Sequence, residues 1–270
     1  MQEQNPPITS KIYTLEDLRR FSTITEVPYG SFARYCSTPE KEKSMILDHE
    51  WNYYINPYGF RDPWNIGSTN TKIGFYGCSF TFGVGLPTHQ TFSHLVKEKL
   101  TPNQVDIFNI GVGGGSIHRI AKLLAGSIEL LELDLVVLTL PTYLRFLVID
   151  ENLWYHDLLP NFKITHSNEL DAKRDHLYKL FSEHDFESIA GDYIQWMLAE
   201  LSKKNIKSVW SSWDEATYNV IKAYVDPSMM FPKFSHIEGD VARDQVHPGP
   251  IVHNLYADQI VDVIKRNYLI

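Results

Sequence analysis

Three short stretches of this 270-residue sequence hold residue types that perform acyl chemistry when a fold brings them together. The first is Gly77-Cys78-Ser79, placed directly after a short apolar run. A serine at the C-terminal end of a strand, followed by a turn, exposes its hydroxyl and offers its own backbone N–H to the same reacting atom. Taken alone, Ser79 reads equally well as a turn cap, and the segment is not a G-x-S-x-G elbow because Thr81 holds the second glycine position. The second stretch is Asp244-Gln-Val-His247, in which a carboxylate three residues before an imidazole can orient it. With 11 histidines in the chain, one D-x-x-H is a weak signal by itself. The third is Asn109-Ile-Gly111-Val-Gly-Gly114-Gly115-Ser116, whose glycine-rich backbone offers N–H donors to an oxyanion or a phosphate, or simply makes a tight turn. A dinucleotide loop is disfavoured, since the Gly-x-Gly-x-x-Gly spacing is missing and no acidic residue about 20 positions on ends a following strand. No Gly-Lys-Ser/Thr of a P-loop occurs either.

Other chemistry-bearing residues fit the bland reading better. Cys78 beside Ser79 is expected to pack, because adjacent side chains diverge. His118 reads as an ordinary helix residue. His247 and His253 lack a third ligand at metal-like spacing, so neither a metal nor another cofactor is expected. Trp210, Trp213, Tyr143 and Phe146 could line a pocket or fill a core.

The elements that must position these groups alternate from residue 72 onward. Residues 73–76, 105–110, 135–140 and 206–210 read as strands, the third a continuous apolar run stopped by Pro141 and hence central and covered on both faces. Residues 90–100, 116–131, 186–201 and 251–264 carry apolar residues at helical spacing, with a short helix through 213–218. Such alternation predicts a three-layer α/β/α sandwich around a parallel sheet. Ligands bind beyond the carboxyl ends of its strands, where Ser79, the glycine loop, residues 141–145 and the Asp244–His247 loop would meet. Residues 1–70 read as an N-terminal extension packed on the main domain, with a short helix from Thr14 and Asp17 into Leu18 and Phe21. Residues 142–185 read as an insertion or lid with one helix near 170–181, within a main domain of residues 71–270.

A net charge of −8 disfavours a nucleic-acid partner, which needs a basic face. No apolar run approaches the roughly 20 residues of a membrane span, so membrane insertion is not expected. Cys36 and Cys78 form no disulfide framework, and the first residues lack the pattern of a secretory signal; both favour a cytoplasmic location.

In their order along the chain these motifs resemble the SGNH (GDSL-like) hydrolases. Gly77-Cys-Ser79-Phe-Thr-Phe-Gly83-Val-Gly85 resembles the first block of that family, Asn109 to Ser116 the second, and Asp244-Gln-Val-His247-Pro248 the last. Asn56-Pro-Tyr-Gly59-Phe60-Arg61 resembles a lead-in of some members. The resemblance implies a flavodoxin-like sandwich in which Ser79 is the nucleophile, His247 the general base and acid, and Asp244 its orienter. The N–H groups of Ser79 and Gly114 would be oxyanion donors. The third block of the family, Gly-x-Asn-Asp, is replaced by Pro141-Thr142-Tyr143-Leu144-Arg145. The family Asn supplies a third oxyanion donor, and losing one such donor costs on the order of 100- to 1,000-fold in rate. Thr142, Tyr143 or Arg145 is expected to substitute, Arg145 also being able to bind an anionic substrate. The implied substrate is a small-molecule or carbohydrate ester, for instance an O-acetyl group. Two other readings use the same residues: a catalytically weak SGNH-like glycan-binding or accessory module, and an acyltransferase. A phage-encoded origin is compatible with the resemblance, and oligomeric state is left open.

Overall fold

The computed structural model describes residues 31–34, 52–101, 103–149, 155–160, 168–242, 244 and 246–267. The helix expected from Thr14 lies outside them, as does Cys36. At the centre is a four-stranded parallel sheet made of β3 (Thr71–Gly77), β4 (Val105–Gly111), β5 (Leu135–Leu140) and β8 (Lys207–Ser212). Its spatial order is β4-β3-β5-β8, the doubly wound order in which the first strand lies inside the second. Register is even across the sheet: Gly77 faces Gly111 on one side and Thr139 on the other, and Leu140 faces Ser212. The strands therefore end on a common rim.

The apolar runs make this sheet because both of its faces are covered. Side chains alternate with period two. Ile73, Phe75, Leu135, Val137 and Val209 enter one apolar layer, while Tyr76, Val136, Leu138, Leu140 and Trp210 enter the other. The first layer is closed by α2 (Phe92–Lys99) and α7 (Pro250–Arg266), which pack on each other. The second is closed by α3 (Ile117–Leu130) and α5 (Glu183–Lys203). The three-layer α/β/α sandwich read from the sequence is thus the observed architecture. Its helices start where local chemistry provides caps, as at Ser116, whose hydroxyl accepts from Arg119 N, and at Ser182, which forms a capping box with Asp185.

Outside the sandwich lie β1 (Ser31–Arg34) with β2 (Asn52–Ile55), an antiparallel pair, and the hairpin of β6 (Phe146–Ile149) and β7 (Tyr155–Leu158). The hairpin has no counterpart in the expected strands, because its residues mix charge and aromatics without alternation. It is followed by α4 (Asn168–Leu180), close to the helix expected at 170–181. The short helix expected at 213–218 is α6 (Glu215–Lys222), which starts later because the Asp214 carboxylate caps it through Thr217 N. Three of the four aromatic residues considered as pocket lining are core instead: Trp210 is fully buried, Tyr143 is buried in the same apolar layer, and Phe146 packs on Phe181 and Phe186.

His253 is buried in α7, where its Nδ1 accepts from Phe92 N at 3.0 Å. Burial, reinforced by the charges of Arg61 and His247, lowers its pKa to about 3. In the unfolded chain this imidazole titrates near about 6.5, so below that pH the unfolded state binds the extra proton. Its contribution is complete above that value and is lost as pH falls towards the folded pKa, at up to about 1.4 kcal/mol per pH unit. Urea midpoints between pH 7 and pH 5 should fall more steeply for the wild type than for His253→Gln, and parallel curves would contradict this.

Candidate active site

Ser79 opens α1 (Ser79–Phe82), a single helical turn directly after β3. Several contacts hold this turn against the rim. Asn109 on β4 donates from Nδ2 to Thr81 O at 2.9 Å, and its Oδ1 accepts from Gly111 N at 3.0 Å. The turn approaches β4 so closely that a Cβ on Gly111 would lie 2.3 Å from Phe82 N, which only glycine avoids. From the other side, Arg61 reaches in with no exposed surface. Its guanidinium donates to Phe82 O at 2.9 Å, Gly83 O at 2.7 Å and Leu86 O at 2.6 Å. The Arg61 charge is disfavoured by burial, which lowers its pKa against the opposing pull of Asp62 and Tyr53. The loop that delivers Arg61 is folded by Asn56, whose side-chain oxygen accepts from Tyr58 N and Phe60 N while its amide donates to Asp62 O.

Asp244 and His247 arrive on the loop before α7. That loop is folded back on itself: Ala242 N donates to His247 O at 2.8 Å, and Gly249 N donates to Asp240 O at 3.1 Å. The buried Asp240 carboxylate also accepts from Val252 N at 2.7 Å and Ile251 N at 3.2 Å, capping α7 and fixing the stem of the loop. Asp244 Oδ1 accepts from His247 N at 3.0 Å, and its Oδ2 is in contact with His247 Nδ1. On the other side of the ring, Nε2 lies 2.8 Å from Ser79 Oγ. With the carboxylate at Nδ1, the neutral ring carries its proton there and presents Nε2 as the acceptor for the serine hydroxyl. Burial tends to raise the Asp244 pKa, but hydrogen bonds from the His247 side chain and backbone outweigh it and hold the carboxyl below its ordinary value. Residues 168 positions apart in sequence thus form one hydrogen-bonded line.

The glycine loop after β4 lies on the same rim. Gly114 adopts φ +72°, a conformation that favours glycine. Neither Ser79 N nor Gly114 N has an acceptor among the described residues. The β6–β7 hairpin braces the far end of this loop, where Asp157 accepts from Ser116 N at 2.8 Å and pairs with Arg119 at 2.7 Å.

The three residues in place of the third family block behave differently from one another. Tyr143 is not available as an oxyanion donor. Its hydroxyl donates to Glu183 Oε1 at 2.8 Å and its N–H to Thr217 Oγ1 at 2.9 Å, and burial, together with Glu183, pushes its pKa up to about 12. The expectation for Tyr143 fails because its ring turns into the apolar layer between α5 and α6 rather than out to the rim. Thr142 stays in the local turn, its Oγ1 accepting from Leu144 N and its carbonyl from Arg145 N. Arg145 is the residue that reaches the site: Nη1 donates to Gly115 O at 3.1 Å, and its Cζ lies 5.5 Å from the centre of the Trp213 ring.

Trp213 completes one wall. It stacks on Phe80 at 5.0 Å and 5°, and its Nε1 donates to the buried Cys78 Sγ at 3.3 Å. Phe80 in turn meets the edge of His247 at 5.5 Å. Phe80, Trp213, Phe234, Val246 and Pro248 line a cavity of about 170 Å³ beside the imidazole. His118 lies elsewhere, stacked on Tyr193 at 4.6 Å, with its pKa lowered by burial to about 4. Among the described residues no group of three or more His, Cys, Asp or Glu is placed to hold a metal, and no helix is long and apolar enough to cross a membrane.

Sequence reasoning singled out Ser79, Asp244, His247 and the glycine loop, which the structure brings to one rim. It did not single out Asp240, Asp157 or the function of Arg61. For Arg61 a signal existed in the lead-in motif, whereas nothing local to Asp157 or Asp240 announces their partners.

No protein-family model and no curated protein matches the sequence. Solved structures similar to the chain include the psychrotrophic esterase EstA from a Pseudoalteromonas species. It is 12% identical, with 74% of this chain and 99% of that one covered and a TM-score of 0.49. A GDSL-like lipase from Bacteroides thetaiotaomicron is 13% identical, with 73% and 89% covered and a TM-score of 0.45. The acetyl xylan esterase AlAXEase is 17% identical, with 72% and 99% covered and a TM-score of 0.46.

Proposed function

We propose that the protein is a serine hydrolase that cleaves a small acyl ester through an acyl-enzyme. The observation that carries this reading is the line Asp244–His247–Ser79, with Ser79 Oγ 2.8 Å from the imidazole nitrogen that would take its proton. Ser79 Oγ attacks the ester carbonyl carbon as its proton passes to His247 Nε2, and Asp244 stabilises the resulting imidazolium. The carbonyl oxygen becomes an oxyanion that takes hydrogen bonds from Ser79 N and Gly114 N. Its collapse breaks the ester C–O bond, and the departing alcohol oxygen receives the proton from His247. Water, deprotonated by the same nitrogen, then attacks the acyl-serine; the acid leaves and Ser79 regains its proton.

The size of the cavity bears on the substrate. At about 170 Å³ it falls below the roughly 300 Å³ at which sites for drug-sized ligands begin, and the part of a substrate it could take is a short acyl or small leaving group. An O-acetyl group on a carbohydrate is a short acyl group of this kind and is among the candidate substrates.

Covalent labelling tests this reading without knowledge of the substrate. A fluorophosphonate should phosphonylate Ser79, seen as a single adduct in intact mass and located by peptide mapping. Label elsewhere, or no label on folded protein, would sink the nucleophile assignment.

A further inference from the structure

Arg145 is a half-buried cation with no acidic partner among the described residues, in a chain of net charge −8. Its guanidinium makes one hydrogen bond among the described residues, from Nη1 to Gly115 O, next to the proposed oxyanion donor Gly114. Nε is enclosed with no acceptor, and Nη2 has none either among the described residues. Buried donors of this kind are normally satisfied, and a guanidinium pinned against an indole is poised to meet a carboxylate or phosphate. We propose that Arg145 is a specificity-determining residue that binds an anionic group on the substrate, and that this group belongs to its acyl half.

The placement follows from the wall of the site and rests on the hydrolase reading above. His247 protonates the leaving oxygen, so the alcohol half of the ester lies on the imidazole side. From His247 the wall runs through Phe80 at 5.5 Å to Trp213 at a further 5.0 Å, with Arg145 at 5.5 Å from Trp213. Ring contacts through Phe80 and Trp213 thus link the imidazole to the cation, and Arg145 itself adjoins the glycine loop. A group bound there extends from the carbonyl carbon away from His247. The substrate class is the monoester of a short dicarboxylic acid, or an acyl group carrying an equivalent anion.

The test compares three esters of equal acyl length: p-nitrophenyl valerate, mono-p-nitrophenyl glutarate, and 4-(pentanoyloxy)benzoate, which carries its charge on the leaving group. Wild type, Arg145→Lys and Arg145→Met are assayed on each, with spontaneous hydrolysis subtracted. The wild type should favour the glutarate over the valerate in kcat/KM by about 10- to 100-fold, the effect of one charged hydrogen bond. Arg145→Met should erase that ratio, and Arg145→Lys should keep part of it. A residue that only braces Gly115 would slow all esters in parallel and leave the ratio unchanged, which would overturn the proposal. Selective loss on the benzoate would overturn the acyl-half placement. Fluorophosphonate labelling of the same samples separates the two levels: a protein that labels at Ser79 without charge preference refutes only the role of Arg145, and one that does not label refutes both readings.

Discussion

Alanine at Ser79, or at His247, is expected to lower kcat on p-nitrophenyl acetate on the order of 10⁶-fold, and the double variant should fall no further. In the proposed mechanism the three groups act as a unit: the acyl-enzyme would form on the Ser79 hydroxyl, whose proton would pass to His247 Nε2, 2.8 Å away. Asp244→Asn should cost less, on the order of 10⁴-fold, because the geometry survives while the tautomer and the stabilised imidazolium do not. Ser79 is nearly buried at 7% exposure, and removing one oxygen there should leave thermal unfolding almost unchanged, so lost rate would report chemistry rather than folding. Equal rates in wild type and both alanine variants would rule out Ser79 catalysis on simple esters and favour a binding module.

Arg61→Leu is expected to destabilise the protein by about 3–5 kcal/mol, the range for stranding buried polar partners of a charged group. For a chain of this size that is roughly a 10 °C fall in Tm. The substitution removes the guanidinium donors of the Phe82, Gly83 and Leu86 carbonyls in the segment directly after Ser79, and of these Gly83 O keeps a bond from Leu86 N. The guanidinium also lies over the Tyr53 ring at 4.5 Å, so packing is lost together with hydrogen bonding. Arg61→Lys should recover only part of the loss, because one ammonium cannot span carbonyls that a planar fork reaches together. Thermal unfolding reads the stability. The rate of fluorophosphonate labelling at Ser79, measured well below Tm, reads whether the turn is still held. A Tm within about 1 °C of wild type would mean that water replaces the guanidinium and that Arg61 is not the brace described.

The sandwich was legible because its determinants are local. Apolar runs such as residues 135–140 have no exposed face in either register, and only a parallel sheet covered on both sides buries them. Ser79, the glycine loop and the Asp244–His247 pair were legible for a related reason: each pairs a special residue type with the end of an element, and the order of elements brings those ends to one rim. The β6–β7 hairpin was not, since its pairing is fixed by contacts such as Asp157 with Ser116 and Arg119 rather than by any alternation of its own residues.

By itself, then, the sequence determined the layers, the strand ends and the three residues in line, through the periodicities of 2 and 3.6 and the few backbone shapes that glycine and proline permit. Only the tertiary structure decided which neighbour serves the site. Tyr143 and Arg145 lie two residues apart in one short segment, yet one turns inward to Glu183 and the other reaches across to Gly115 and Trp213. Side-chain direction there depends on which partner is within a few ångströms, and those partners are brought in by packing from α5, β4 and β8, where local sequence carries no record of them.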